Sequence, residues 1–204
     1  EKVIEEIFTS LLDPTLRAPN SKRFAVGRVL ADPENTFGFI VPSDPKRKIY
    51  LAEQFFRPVF DYYRNYMSDA AFPIRAHTRA ATLIHELSHI VCNTEDIAYL
   101  DSGRPFHTLI ETTSVRARAL KDALSNLHKK GLSSQTPLPE LFSRYNDDLQ
   151  VWEDLGQTYY EETDRPLLQV LRLTGDKTLS DARIRFKRDP LVRLAVQLGN
   201  ADSV

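Results

Sequence analysis

The stretch Ala81-Thr82-Leu83-Ile84-His85-Glu86-Leu87-Ser88-His89-Ile90-Val91-Cys92 organises the reading of this chain. Its apolar residues recur at helical spacing and flank the polar ones on both sides, which is the pattern of a largely buried helix. His85 and His89 are four positions apart, so they share one helix face about one turn from each other and can aim both imidazoles at a single point. Glu86 lies one residue along, roughly 100° around the helix, close enough to touch a water held at that point without being a ligand itself. Two imidazoles and a carboxylate on a buried helix need partners, because uncompensated polar groups in a core are costly. The H-E-x-x-H pattern therefore points to a bound Zn2+, which suits neutral imidazole and brings the pKa of a bound water to about 7.

Outward from this stretch, the helical pattern begins at Asp69 or Pro73 and ends at Asn93. Pro73 suits a first turn, and Asn93 suits a left-handed cap. Upstream, Glu1–Leu12 sets Val3, Ile4, Ile7, Phe8, Leu11 and Leu12 at helical spacing. Three strand-like runs follow, Arg23–Ala31, Thr36–Val41 and Lys48–Ala52, separated by Asp32-Pro33-Glu34-Asn35 and Pro42-Ser43-Asp44-Pro45. Short runs with tight connections predict a small, mostly antiparallel sheet. The aromatic stretch Phe55–Tyr66, with Phe56, Phe60, Tyr62 and Tyr63, reads as core packing.

Downstream, Thr94–Arg104 reads as a loop and Pro105–Lys130 as a helix, with a further loop over Gly131–Pro139. Helical patterns resume over Pro139–Glu162, Arg165–Leu173, Leu179–Phe186 and Pro190–Leu198, and Asn146-Asp147-Asp148 offers an N-terminal cap inside the first of these. The expected fold is α+β in a single domain over residues 1–204: a sheet part at about 20–67, the motif helix at about 69–93 and a helical part at about 105–204.

Composition narrows the function. The 204 residues carry 27 Lys plus Arg against 28 Asp plus Glu, a net charge of -1. Such a balance argues against a protein that grips nucleic acid through its phosphates. No apolar run approaches the ~18–20 residues of a membrane span. Cys92 is the one cysteine, which excludes an internal disulfide and a four-cysteine zinc site. The start, Glu1-Lys2-Val3-Ile4-Glu5-Glu6, has neither a signal-peptide pattern nor an initiator Met, so the chain reads as excised from a longer one. Oligomeric state is not written in the sequence.

Catalytic zinc usually takes three protein ligands and leaves a position open for water. Three residues are candidates for the third. Asp96 follows the helix end at Asn93, so a short reversal carries it back toward the metal. Glu111 sits early in the next expected helix, at the separation where thermolysin-like enzymes place their ligand. Cys92 is one turn beyond His89, where burial is the ordinary role of a cysteine. His77 reads as an exposed helix residue, and His107 and His128 have no motif partner.

His85-Glu86-Leu87-Ser88-His89 followed by Thr94-Glu95-Asp96-Ile97-Ala98-Tyr99-Leu100 resembles the aspzincin signature of deuterolysin and the peptidyl-lysine metalloendopeptidases, H-E-x-x-H with G-T-x-D-x-x-Y-G. Ile49-Tyr50-Leu51-Ala52-Glu53-Gln54-Phe55-Phe56 and Ala80-Ala81-Thr82-Leu83-Ile84 are similar to segments that precede that signature, so the likeness covers about Lys48–Leu100. Asn93 and Leu100 stand where the family has glycines. The resemblance implies a zincin-like fold, His85, His89 and Asp96 as zinc ligands, Glu86 as general base and Tyr99 as a hydrogen-bond donor to the developing oxyanion.

On that basis the expected activity is zinc-dependent endoproteolysis of a protein or peptide substrate. The substrate is expected to be added as a strand at a sheet edge near Lys48–Ala52. The cysteine-poor composition resembles bacterial relatives that serve as modules of larger toxins or effectors, secreted or delivered into a target cell. Two rival expectations are a thermolysin-like site completed by Glu111 and a non-catalytic binding module that keeps the zincin shell.

Overall fold

A computed structural model of the chain describes residues 2–17, 21–29, 36–57, 74–98, 110–146, 148–157 and 164–203. In chain order the described elements begin with helices α1 (Lys2–Leu12) and α2 (Pro14–Arg17), followed by strands β1 (Phe24–Val26), β2 (Gly38–Ile40) and β3 (Ile49–Leu51). Helices α3 (Glu53–Phe56), α4 (Ile74–Cys92) and α5 (Val115–Lys130) come next, then strands β4 (Ser143–Asn146) and β5 (Val151–Asp154). Helices α6 (Arg165–Thr174), α7 (Leu179–Arg188) and α8 (Pro190–Leu198) precede a 3-10 turn at Ala201–Ser203. The fold is mixed α+β. The chain divides into two compact units, Glu1–Asn93 with Ser102–Leu124, and Thr94–Asp101 with Ser125–Val204. Among the described residues no helix is long and apolar enough to cross a membrane.

The first unit is built on β3. Alternation along Ile49-Tyr50-Leu51 turns Ile49 and Leu51 into the core and Tyr50 to the other face, where its ring stacks on Phe39 at 5.1 Å. Its hydroxyl donates to Asp44 Oδ2 at 3.1 Å, and Asp44 also accepts the backbone N–H groups of Lys46 and Lys48, which closes the β2–β3 turn. Ile49 and Leu51 pack against Leu87 and Ile90 of α4, with Leu11, Phe24, Ile40 and Leu83 around them. Arg79 fixes α4 further: its guanidinium donates to the carbonyls of Phe55 and Phe56, which end α3, and lies over the Phe55 ring. The residues from Phe60 to Tyr66 and Pro73 lie outside the described residues.

The sheet differs from the expected one. Its order is β1-β3-β2, with β2 antiparallel to β3 and β1 parallel to it, so the pairing is mixed rather than mostly antiparallel. A tight turn dictates antiparallel pairing only between the strands it joins. The Asp44 turn folds β3 back antiparallel on β2, whereas the place of β1 on the other side of β3 is a long-range pairing that local turn signals do not determine.

The second unit gathers Ile97, Leu141, Phe142, Leu155, Val170, Ala182, Phe186 and Val196 into one core, in which the Phe142 and Phe186 rings meet edge to face at 5.3 Å. Gly175 in the left-handed conformation ends α6, Thr178 caps α7 and Asp189 caps α8. The three last helices match the expected ones to within two residues.

Two expected helices are corrected. Residues 105–109 of the helix expected from Pro105 lie outside the described residues; in the described part the helix begins at Val115, where the Ser114 hydroxyl accepts the Ala117 N–H and sets the cap. The helix expected over Pro139–Glu162 is, in its described part, the β4–β5 hairpin. The cap expected at Asp147 or Asp148 gives way to a turn, in which Asn146 Oδ1 accepts the N–H groups of Asp148 and Leu149. Gln150 then turns left-handed, and Tyr145 pairs with Trp152 across the strands. Arg183 of α7 ties this hairpin down by donating to the Leu141 carbonyl, to Ser143 Oγ and to the Asp154 carboxylate.

These features set two expectations. Phe186→Ala should lower the unfolding free energy by about 3–5 kcal/mol in a denaturant titration, while Leu191→Ala, at 76% exposure, should stay within about 0.5 kcal/mol. The hydrogen bond from Arg183 holds the Asp154 carboxyl below its ordinary value, with burial opposing. That contribution is complete above the ordinary aspartate value and is lost as pH falls through the lower folded value. Asp154→Asn should therefore flatten the acid limb of a Tm-against-pH curve.

Candidate metal site

The site residues come from one continuous stretch, His85 to Asp96. In α4, Leu87 and Ile90 are consumed by the core, which leaves the adjoining face to His85, Glu86 and His89. His85 and Glu86 are buried and His89 is half-buried. The hydroxyls on this part of the helix are satisfied locally, Ser88 Oγ donating to the His85 carbonyl at 2.7 Å and Thr82 Oγ1 to the Thr78 carbonyl at 3.0 Å.

The two imidazoles meet edge to face with centroids 4.8 Å apart and an interplanar angle of 84°, and their Nε2 atoms are 3.1 Å from each other. At that separation either one ring N–H donates to the other ring's bare nitrogen, or two bare nitrogens face a shared cation.

Strand β2 comes close beneath this face. A Cβ at Gly38 would stand 3.3 Å from Thr82 Cγ2 and 3.4 Å from Glu86 Cγ and Oε1. A glycine here lets the strand backbone lie directly against the glutamate of the motif. β3, by contrast, is flanked on both sides by β1 and β2. The edge expected near Lys48–Ala52 is therefore interior, and its ladder groups are already used; β1 and β2 are the outer strands of the described sheet.

After Cys92 the chain turns through Asn93, whose φ of 51° is the left-handed cap that the sequence leads one to expect. Thr94 is buried, and Asp96 follows with Oδ1 also buried. One ligand atom from each of His85, His89 and Asp96 lies within 4.8 Å of the others, an arrangement that can hold a metal ion. Among the described residues neither Glu111 nor Cys92 belongs to that group. Glu111 precedes α5 rather than lying inside it, and accepts a hydrogen bond from Thr113 Oγ1. Cys92 Sγ faces Glu6 Oε2 at 3.9 Å, and burial followed by the glutamate charge pushes its thiol pKa up. His77 is half-buried rather than exposed, and burial lowers its pKa. Tyr99 and His107 lie outside the described residues.

The backbone around Asp96 is held by residues that the sequence does not mark. Glu95 and Asn200 form a parallel bridge in which Glu95 N–H donates to the Gly199 carbonyl at 3.0 Å and Ala201 N–H to the Glu95 carbonyl at 3.1 Å. Asn200 Oδ1 accepts from Ile97 N at 3.0 Å and from Ala98 N at 2.9 Å. Arg144 donates to the Asp96 carbonyl at 3.0 Å, and Arg165 pairs with the Glu95 carboxylate.

Compared with models of known families, with curated proteins and with solved structures, the chain matches none.

The helix exit is directly testable. Asn93→Val should cost roughly 1–2 kcal/mol of stability, since a β-branched residue resists the left-handed region, whereas Asn93→Gly should be tolerated. Chemical denaturation of the two variants checks this.

Proposed function

We propose that the chain is a zinc-dependent endopeptidase of aspzincin type, with a zincin-like arrangement of sheet and motif helix. The observation that carries the proposal is the convergence of ligand atoms from His85, His89 and Asp96 within 4.8 Å, with Glu86 buried one residue along the same helix. The donor set of two imidazoles and a carboxylate is one that zinc accepts in catalytic sites. The Nε2 atoms of His85 and His89 stand 3.1 Å apart, so both could face one cation.

When bound, Zn2+ supplies a polarised scissile carbonyl and a water acidified toward a pKa of about 7. His85 and His89 would hold the ion as neutral imidazoles, and Asp96 would complete the ligand set through a carboxylate oxygen. Glu86 takes the proton of the attacking water on its carboxylate and returns it to the leaving amine nitrogen. Tyr99 donates its phenolic hydrogen to the carbonyl oxygen as charge gathers there, a contribution of about 2.7–4 kcal/mol for such donors. The peptide substrate is proposed to lie along β2, whose Gly38 stands against Glu86, by strand addition at an outer strand.

Metal analysis of the purified chain after zinc loading should give about one zinc per chain. Glu86→Gln should keep the zinc and lose about 10²–10⁴-fold in the digestion of casein and of a mixed peptide library. Asp96→Ala should lose zinc affinity. A chain that takes up no zinc, or a Glu86→Gln variant that digests as fast as its parent, would overturn the proposal.

A further inference from the structure

We infer that Asn200 is a positioning residue for the third metal ligand: it fixes the backbone that carries the Asp96 carboxylate. The inference rests on the zinc reading of His85, His89 and Asp96.

Asn200 has no solvent exposure, and its side chain spends both acceptor positions of Oδ1 on backbone N–H groups immediately after Asp96, those of Ile97 and Ala98. Its Nδ2 donates to Ser203 Oγ at 2.9 Å, which holds the amide plane in that orientation. The flanking backbone bonds between Glu95 and both Gly199 and Ala201 clamp the residue immediately before Asp96. Residues 95, 97 and 98 are thus held by the 199–201 segment, and the carbonyl of Asp96 by Arg144. With its peptide groups held on both sides, the ligand side chain has only its own two torsions left to adjust, χ1 and χ2.

An amide suits the position because it gives two lone pairs without a charge. An aspartate there would bury a second carboxylate beside the loop, and an alanine would leave the buried Ile97 N–H and the part-buried Ala98 N–H without this acceptor. Metal sites gain affinity when groups behind the ligands fix their orientation, and losing such a group typically costs about 10–100-fold in metal affinity.

The test uses the full 204-residue chain. Zinc affinity is measured by competition with a chromophoric chelator, and the visible absorption of the Co2+-loaded chain reports the ligand set. Four single variants are compared: Asn200→Ala, Arg144→Met, Ser203→Ala and Asp96→Ala. Asn200→Ala should weaken zinc about 10–100-fold and shift the Co2+ spectrum toward that of Asp96→Ala. Ser203→Ala, which leaves both acceptor bonds of Asn200 available, should bind within about threefold of the parent. If Asn200→Ala does not fold, Arg144→Met reports on the same loop through the Asp96 carbonyl and should weaken zinc by a smaller factor.

The deciding measurement is the double variant. In an Asp96→Ala background, Asn200→Ala or Arg144→Met should change zinc affinity no further, because each acts only through Asp96. Parent-like zinc affinity in a folded Asn200→Ala chain, or an equal loss in both backgrounds, overturns the inference and leaves the zinc site standing. Parent-like affinity in Asp96→Ala overturns the zinc ligand set itself.

Discussion

A helix that must bury one face while keeping two imidazoles and a carboxylate on the next sets the terms for much of this molecule. The core of the first unit takes Leu87 and Ile90, and this fixes the rotation of α4 about its own axis. Once that rotation is fixed, the neighbouring face has no freedom: His85 and His89 stand one above the other with Nε2 atoms 3.1 Å apart, and Glu86 lies against the backbone of β2 at Gly38. The packing that stabilises the unit and the geometry that makes the site are one arrangement read from two sides.

The legible part of the sequence was the part governed by short-range periodicity. The apolar spacing in residues 81–92, the left-handed cap at Asn93 and the three last helices all follow from contacts within a turn or two, which side-chain identity controls strongly. His85, His89 and Asp96, whose ligand atoms the structure brings within 4.8 Å of one another, are also close in sequence, whereas spacing alone left Glu111 and Cys92 as alternatives to Asp96.

Longer-range features were not legible. In the hairpin at Ser143–Asp154, the run Asn146-Asp147-Asp148 suits a helix start or a turn, and the pairing of Tyr145 with Trp152 across the strands is a contact that local periodicity does not show. Lys48–Ala52 looked like an edge until β1 took its place alongside, since a strand run alone does not say how many neighbours it has. Asn200 had no signal in its own surroundings: a single Asn after a helix is common, and nothing nearby names a partner 103 residues earlier.

That separation imposes a sequence in time. On a nascent chain, α4 can coil as soon as it leaves the ribosome, and its histidines need nothing further along to face one another. The peptide groups around Asp96 wait for residue 200, so their clamp closes only after the histidines are already in place. A chain halted short of that residue would carry the histidine half of the constellation with its acidic arm still loose.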